Sequence, residues 1–223
     1  MDIHQAPAAD EALVGRARAL ASGTLANALD GVGLHHNVVE DLTPVAPGLR
    51  LAGRAVTVKQ SADTYGSFPA SDFKVGAMID AAGPGDVIVA DAEGAPYSTW
   101  GGMASAAARH KGIAGLVVDG AVRDVEEILE AGFPVYSRHM SPTTGRTRLK
   151  VEAINVPVHI GGVGVQPGDI VVADGTGIVV LPRDLAPEIV ARAERFAADD
   201  AAALKELEAG RSFTEVMAKY GNI

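Results

Sequence analysis

A unit of eight residues, Pro84-Gly85-Asp86-Val87-Ile88-Val89-Ala90-Asp91 with Gly94 after it, returns almost unchanged as Pro167-Gly168-Asp169-Ile170-Val171-Val172-Ala173-Asp174 with Gly177. Each copy joins a Pro-Gly turn to an unbroken apolar run, rich in β-branched residues and too short for a helix. A strand with one wet face alternates apolar and polar side chains, so a strand that does not alternate must be covered on both faces. Leu51 to Lys59, Gly115 to Val118, Val151 to Ile160 and Ile178 to Leu181 add further strand-like segments, and Phe133 to Tyr136 another. The chain therefore needs a sheet with packing layers on each side, and two copies of one unit do not make a solenoid.

Helical segments supply those layers. Asp10 can cap a helix from Glu11 to Ala21, and Thr24 a second from Leu25 to Asp30 that stops at Gly31. Ser71 or Asp72 can cap a third, reaching Ala82 before Gly83-Pro84-Gly85 breaks it. From Pro187 to Leu207 the sequence is amphipathic and charged, which predicts a long C-terminal helix interrupted only at Asp199-Asp200. The 223 residues, 48% hydrophobic and 21% charged, suit one sizeable α/β domain over residues 1–186 with a helical extension over 187–223.

Between the two repeated units lies the stretch with the most chemistry. Gly101 and Gly102 precede the helix-forming run Met103 to Lys111, so their backbone N–H groups should be free at a helix N-terminus, which attracts anions. The strand Gly115 to Val118 should end at Asp119-Gly120, with Arg123 and Asp124 just past its C-terminal end, where open α/β sheets keep their chemistry. A plainer account is also available. Asp124 with Glu127 three residues on is a capping box for a helix from Val125 to Ala131, and Arg123 is then a surface ion-pair residue.

These segments resemble the RraA-like family, which includes metal-dependent 4-hydroxy-4-methyl-2-oxoglutarate aldolases. The resemblance rests on Trp100-Gly101-Gly102, Gly112 to Gly120 and Arg123-Asp124 with Glu127, and extends to Leu51 to Val58 and Pro167 to Asp174. It implies a swivelling β/β/α arrangement of layered helices and mixed sheet, with N-terminal helices and a C-terminal extension packed across a subunit boundary in a homotrimer or hexamer. It implies that Gly101, Gly102, Met103 and Ala104 bind substrate with Arg123, that Asp124 holds Mg²⁺, Mn²⁺ or another divalent metal, and that Arg123 and Asp124 are the catalytic pair. An acidic residue among Glu194, Asp199 and Asp200 would approach the neighbouring site. The implied reaction cleaves a C–C bond of a 2-oxo acid to give pyruvate, as an aldolase, as an oxaloacetate decarboxylase or as both. The family's namesake instead inhibits a ribonuclease complex through protein contacts, so a catalytically weak regulator is the alternative. Many members carry glutamate where this chain has Gly102, and a glycine there is expected to leave more room beside the metal.

The chemistry of the implied ligands agrees with the residue types. A hard divalent cation keeps several waters and needs only one or two carboxylates besides its substrate, so Asp124 suffices without a His/Cys cluster. Arg123 offers a planar fork for a carboxylate. The formal net charge of -9 and the lack of a Lys/Arg cluster oppose a nucleic-acid surface. The absence of cysteine excludes disulfides and thiolate chemistry. No leader or membrane-spanning run is seen, so a cytoplasmic protein is expected. Adjacent His35 and His36 read as surface residues, and Arg138, His139, Arg146 and Arg148 as a solvated basic loop. A Schiff-base aldolase would need a desolvated lysine, for which Lys59 is the candidate. Gly161-Gly162-Val163-Gly164 opens onto Val165-Gln166-Pro167 rather than a helix, against a nucleotide-binding loop.

Overall fold

A computed structural model describes residues 1–8 and 10–220. In chain order they form β1 (Asp2–Ile3), α1 (Glu11–Arg18), α2 (Ser22–Asp30), β2 (Val38–Val39), β3 (Thr43–Pro44), β4 (Leu51–Ala62), a 3-10 turn (Ala70–Asp72) and α3 (Val75–Ala81). Then come β5 (Val87–Asp91), β6 (Ser98–Trp100), α4 (Gly102–His110), β7 (Gly115–Val122), α5 (Val125–Glu130), β8 (Val135–Met140) and β9 (Leu149–Ile154). The chain continues through β10 (Val158–Ile160), β11 (Val163–Val165), β12 (Ile170–Ala173), β13 (Ile178–Leu181), α6 (Ala186–Glu208) and α7 (Phe213–Tyr220).

The long strand β4 joins everything. Its first residues, Leu51 to Arg54, pair antiparallel with β12; Ala55 to Lys59 pair parallel with β5; Val58 to Ala62 pair antiparallel with β9. Beyond β5, strands β7 and β8 continue in parallel, and beyond β12, strands β13 and β2 continue in antiparallel. Strands β10 and β11 make a separate hairpin that turns at Gly161-Gly162, both with positive φ, so this glycine run is a tight turn and not a nucleotide loop.

The unbroken apolar runs are explained by three cores. In β5, Ile88 and Ala90 face a core shared with Met78 of α3, Ala108 of α4 and Ile128 of α5, while Val87 and Val89 face one shared with the β10–β11 hairpin. In β12, Val171 and Ala173 join that second core, while Ile170 and Val172 face a third with Leu13 of α1, Leu25 of α2 and Ile189 of α6. Successive residues of a strand point to opposite faces, so each run needs apolar side chains throughout. The two repeated units match down to the turn: Asp86 Oδ2 accepts from Gly83 N at 2.7 Å and Asp169 Oδ2 from Gln166 N at 2.8 Å. They differ in partner, because Arg54 grips Asp86 through two bonds of 2.8 and 2.6 Å while Asp169 accepts instead from Arg183 N at 3.0 Å.

Several boundaries differ from expectation for local reasons. Helix α1 is capped by Asp10 as expected but ends at Arg18, and α2 begins at Ser22. The Ser22 backbone N–H and hydroxyl donate to Asp174 at 2.8 and 2.7 Å, which fixes that end without Thr24 as a cap. The helix expected from residue 71 or 72 to Ala82 is split at Lys74, whose φ of 28 interrupts the winding. Helix α6 runs through Asp199-Asp200 unbroken, an aspartate inside a helix costing only about 0.7 kcal/mol against alanine. Its Ala186, Ile189, Val190 and Ala193 are buried against α1 and α2, and α7, within the expected helical extension but a separate helix, packs against it.

The largest departure positions the site. Strand β7 does not stop at Asp119-Gly120; it runs on to Val122, with a shift of register against β8 between Val118 and Ala121. Asp119 tolerates burial because Arg138 donates to it at 2.6 and 3.2 Å and Gly161 N at 2.8 Å. Gly120 is required by close approach, since a Cβ there would lie 2.8 Å from the Cβ of Ala92. Burial pushes the Asp119 carboxyl up, but the Arg138 and Gly161 hydrogen bonds outweigh it and the net shift is downward.

Asp119→Asn should therefore cost about 3 kcal/mol at neutral pH, the scale of breaking a partly buried ion pair. The folded carboxyl holds its proton less tightly than the unfolded one, so its contribution is present above the ordinary value of 3.8 and fades as pH falls through the lower folded value. Urea denaturation of both proteins at pH 7 and in stepwise acid should show the gap closing only in that acid window.

Candidate active site

Strands β6 and β7 end side by side, with Trp100 paired to Val122. The next residues are therefore neighbours, and Arg123 N donates to Trp100 O at 3.0 Å. Trp100 is buried and stacked on Phe133, with ring centroids 5.9 Å apart. Its indole Nε1 donates to Ser105 Oγ at 2.9 Å, and that hydroxyl donates to Gly101 O at 3.1 Å. This chain of bonds ties the first turn of α4 to the sheet, with Gly101 as the residue before the helix.

Asp124 precedes α5 but does not cap it. Its backbone is left-handed, φ 56 and ψ 47, and its side chain makes no capping bond. Instead Asp124 Oδ2 lies 3.4 Å from Gly102 N at the start of α4 and 3.4 Å from Arg123 Nε. A non-glycine residue in this conformation stores strain of about 1–3 kcal/mol and marks candidate functional positions. Gly101 is needed for the approach, because a Cβ there would fall 2.6 Å from Asp124 Oδ2 and 3.3 Å from Arg123 Cγ. The Arg123 and Asp124 side chains remain 46% and 37% exposed, open to a ligand.

Gly101, Met103, Ala104, Arg123 and Asp124 line one concavity of about 190 Å³ with Phe73, Val75, Ser98, Thr99, Trp100 and Thr144. Of the last six, Trp100 belongs to the motif already read from sequence, and the other five were not singled out there. Ser98-Thr99, two hydroxyls directly before Trp100-Gly101, were the available signal; Thr144 and Phe73 reach the site only through tertiary folding. Thr99 Oγ1 donates to the buried Gln60 Oε1 at 2.6 Å. Met103 is 87% exposed.

Gly102 does not line this concavity, and the expected room beside it is absent. A Cβ at Gly102 would collide with Glu127 Oε2 and lie 2.5 Å from Glu127 Cβ. Glu127 is thus packed against the start of α4 rather than reaching back to the Asp124 backbone as a capping partner.

The RraA-like sequence profile, described as Aldolase/RraA, matches residues 22–180. A Halalkalibacterium halodurans protein provisionally named 4-hydroxy-4-methyl-2-oxoglutarate aldolase is 33% identical over 83% of this chain and 83% of its own length. The chain belongs to the RraA-like family. A Thermus thermophilus protein named 4-hydroxy-4-methyl-2-oxoglutarate aldolase is 33% identical over 60% of this chain and 76% of its own. The crystal structure of Streptomyces coelicolor RraAS2, described as an unusual member of the RNase ES inhibitor RraA family, superposes with a TM-score of 0.77 at 31% identity, covering 93% of this chain and all of that one. The matched span contains Gly101 to Ala104 and Arg123-Asp124, while α1, α6 and α7 lie outside it.

Among the described residues of this RraA-like chain, no three His, Cys, Asp or Glu side chains gather as a metal cage. The donor set at the concavity, one half-exposed carboxylate with a neighbouring arginine, instead suits a hard cation that keeps its waters and shares a chelating substrate. Lys59 does not suit a Schiff base: its ammonium pairs with Asp91 at 3.0 Å and Glu93 at 3.4 Å. Burial pushes it down, yet these carboxylates prevail and its pKa is raised, the opposite of what nucleophilic catalysis needs. The supposed solvated basic loop is largely structural. Arg138 lies in β8 and holds Asp119 and Asp41, and the Arg148 guanidinium sits 4.8 Å from the Tyr65 ring centre and 5.5 Å from that of Tyr97. His35 and His36 are exposed as expected, His35 beside Asp30 at 3.0 Å. No helix among the described residues is long and apolar enough to cross a membrane.

Gly102→Ala should destabilise the fold by about 1–3 kcal/mol, the cost of overpacking, although alanine normally favours helix. Glu127→Ala in the same chain should not restore stability, because the conflicting Cβ remains, whereas Glu127→Gly should. A double-mutant cycle from urea denaturation measures this, and additive effects would refute the packing of Glu127 on Gly102.

Proposed function

We propose that this chain is a divalent-metal-dependent lyase that cleaves the C3–C4 bond of a 2-oxo acid to release pyruvate, acting on 4-hydroxy-4-methyl-2-oxoglutarate, oxaloacetate or both. The observation that carries the reading is the convergence of Arg123, Asp124 and the N-terminus of α4 on one concavity. Aldolase names among the relatives support it.

Asp124 would hold the metal, Mg²⁺ or Mn²⁺, which when bound polarises the 2-oxo group. The remaining work falls to the chain. Arg123 binds the C1 carboxylate through its free Nη donors, its Nε being directed to Asp124. The Gly101 to Ala104 backbone lends the positive end of α4 to the same anion. As the C3–C4 bond breaks, its electron pair moves toward the 2-oxo oxygen and gives the enolate of pyruvate, whose charge Arg123 and the helix end oppose. The departing half is a second pyruvate when a C4 hydroxyl gives its proton to water, or carbon dioxide when C4 is a carboxylate. Water then supplies a proton to C3 of the enolate, giving pyruvate.

The assembly belongs to the same proposal. Met103 and Met140, 87% and 62% exposed at the ends of the site elements, would be covered by a neighbouring subunit of a homotrimer or hexamer. Glu194 is engaged by Arg16 at 2.8 and 2.7 Å, so of the three candidate acids Asp199 and Asp200 are the ones that would reach such a neighbour. The same exposed methionines favour the second reading, an RraA-like regulator that binds a ribonuclease or other protein. Metal-dependent turnover separates the two.

Pyruvate release from each substrate, with Mg²⁺ and with chelator, should appear only with metal. Asp124→Asn should lose this activity while keeping the fold, since no capping bond is lost with it. Arg123→Lys should fall in kcat/KM by about 10²-fold, nearly as far as Arg123→Ala, because a point charge cannot replace the fork. Wild-type turnover in Asp124→Asn, or no turnover of either substrate by the native protein, would overturn the lyase reading.

A further inference from the structure

The parallel strands begin around a second concavity, at the opposite end of the sheet from Asp124. It measures about 660 Å³, inside the ~300–1,000 Å³ usual for small-molecule sites. Its walls include Gly85, Gly112 and Gly132 at the turns into β5, β7 and β8, which contribute backbone without side chains and keep the floor open. Arg18 from the last turn of α1, Arg50 from the segment before β4 and Arg109 from the last turn of α4 stand around it. No acidic residue among those described lines it.

That grouping runs against the character of the chain. The formal net charge is -9, and Arg16, Arg54, Arg123, Arg138, Arg183, Arg192 and Arg211 each pair with a carboxylate. Arg18, Arg50 and Arg109, like Arg146, Arg148 and Arg195, have no such partner among the described residues, and these three share one concavity. Two of them are nonetheless fixed in place: Arg18 Nη2 donates to Ala52 O at 2.9 Å and Arg50 Nη2 to Leu20 O at 3.0 Å. A guanidinium carries five N–H donors, so one bond to a carbonyl orients the group and leaves the others free. The attraction of a cation to a helix C-terminus accounts for the placing of Arg18 and Arg109, but not for Arg50, which lies on no helix.

We propose that this concavity binds a small, multiply charged oxyanion, a phosphate ester or a di- or tricarboxylate, through Arg18, Arg50 and Arg109. Charge-assisted bonds from three directions select at least two anionic groups, and their strength should fall with salt.

The test is calorimetric titration of metal-free Arg123→Ala protein at low ionic strength, with pyrophosphate in one arm and citrate in the other. The Arg123→Ala background removes binding at the Asp124 concavity. At least one anion should bind saturably, one per chain; pyrophosphate alone would identify a phosphate ester, and citrate alone a polycarboxylate. Arg109 is exposed and makes no side-chain hydrogen bond among the described residues, so adding Arg109→Ala should leave the thermal midpoint unchanged. It should weaken binding by about tenfold or more, the loss of one charged hydrogen bond. Arg109→Glu should abolish binding, and Arg18→Ala and Arg50→Ala should each act like Arg109→Ala. No saturable heat with either anion, or binding indifferent to Arg109→Ala and Arg109→Glu, would overturn the proposal.

Discussion

A carboxylate inside a buried strand is stable only if every lone pair that leaves water finds a donor, and Asp119 meets that condition with Arg138 on β8 and Gly161 at the tip of the β10–β11 hairpin. Three elements distant in sequence meet at this one side chain. Because Asp119 can remain in the sheet, β7 continues to Val122 and stays paired with β6, and Arg123-Asp124 leave the sheet beside Gly101. With β7 ending at Val118, the arginine and the carboxylate would sit on a free loop with nothing to fix them against α4. Asp91 is the register partner of Asp119 on β5 and is likewise held, by Lys59 and by His159 N. The C-terminal edge of the parallel sheet is thus held by paired charges on one face while the candidate site occupies the other.

The architecture was legible where one residue type had one reason to be present. The continuous runs Val87 to Ala90 and Ile170 to Ala173 demanded cover on both faces, and each face meets a different core. The matched turns Pro84-Gly85-Asp86 and Pro167-Gly168-Asp169 were legible for the same reason, since turn and aspartate form one local hydrogen-bonded unit. Illegible were features set by distant partners. Ser22 starts α2 because Asp174 is beside it, and β7 passes through Asp119-Gly120 because Arg138, Gly161 and Ala92 surround that pair. A local rule that aspartate and glycine end a strand is correct in water and fails where the fold supplies donors and closeness.

The candidate site divides in the same way. Gly101, Met103, Ala104, Arg123 and Asp124 could be named from spacing and resemblance, and the fold brings them to one concavity. Their surroundings could not be named. Phe73 and Thr144 lie far from Asp124 in the chain, and Gln60 bears on the concavity only through Thr99. The capping-box account of Asp124 and Glu127 was sound by sequence and is excluded by geometry. The left-handed backbone of Asp124 directs its carboxylate across to α4, and Glu127 fills the space above Gly102.

That backbone conformation links stability to the proposed chemistry. Asparagine and aspartate tolerate the left-handed region better than most residues, yet the position still costs free energy that α5 does not return as a capping bond. What holds Asp124 is a weak contact with Gly102 N and the proximity of Arg123, both at 3.4 Å. A carboxylate so lightly engaged keeps most of its lone pairs for another partner. The arrangement suits the proposed cation and anionic substrate: a side chain fixed in direction by the backbone, left short of hydrogen bonds, and set beside the positive end of α4, which favours the anion rather than the metal.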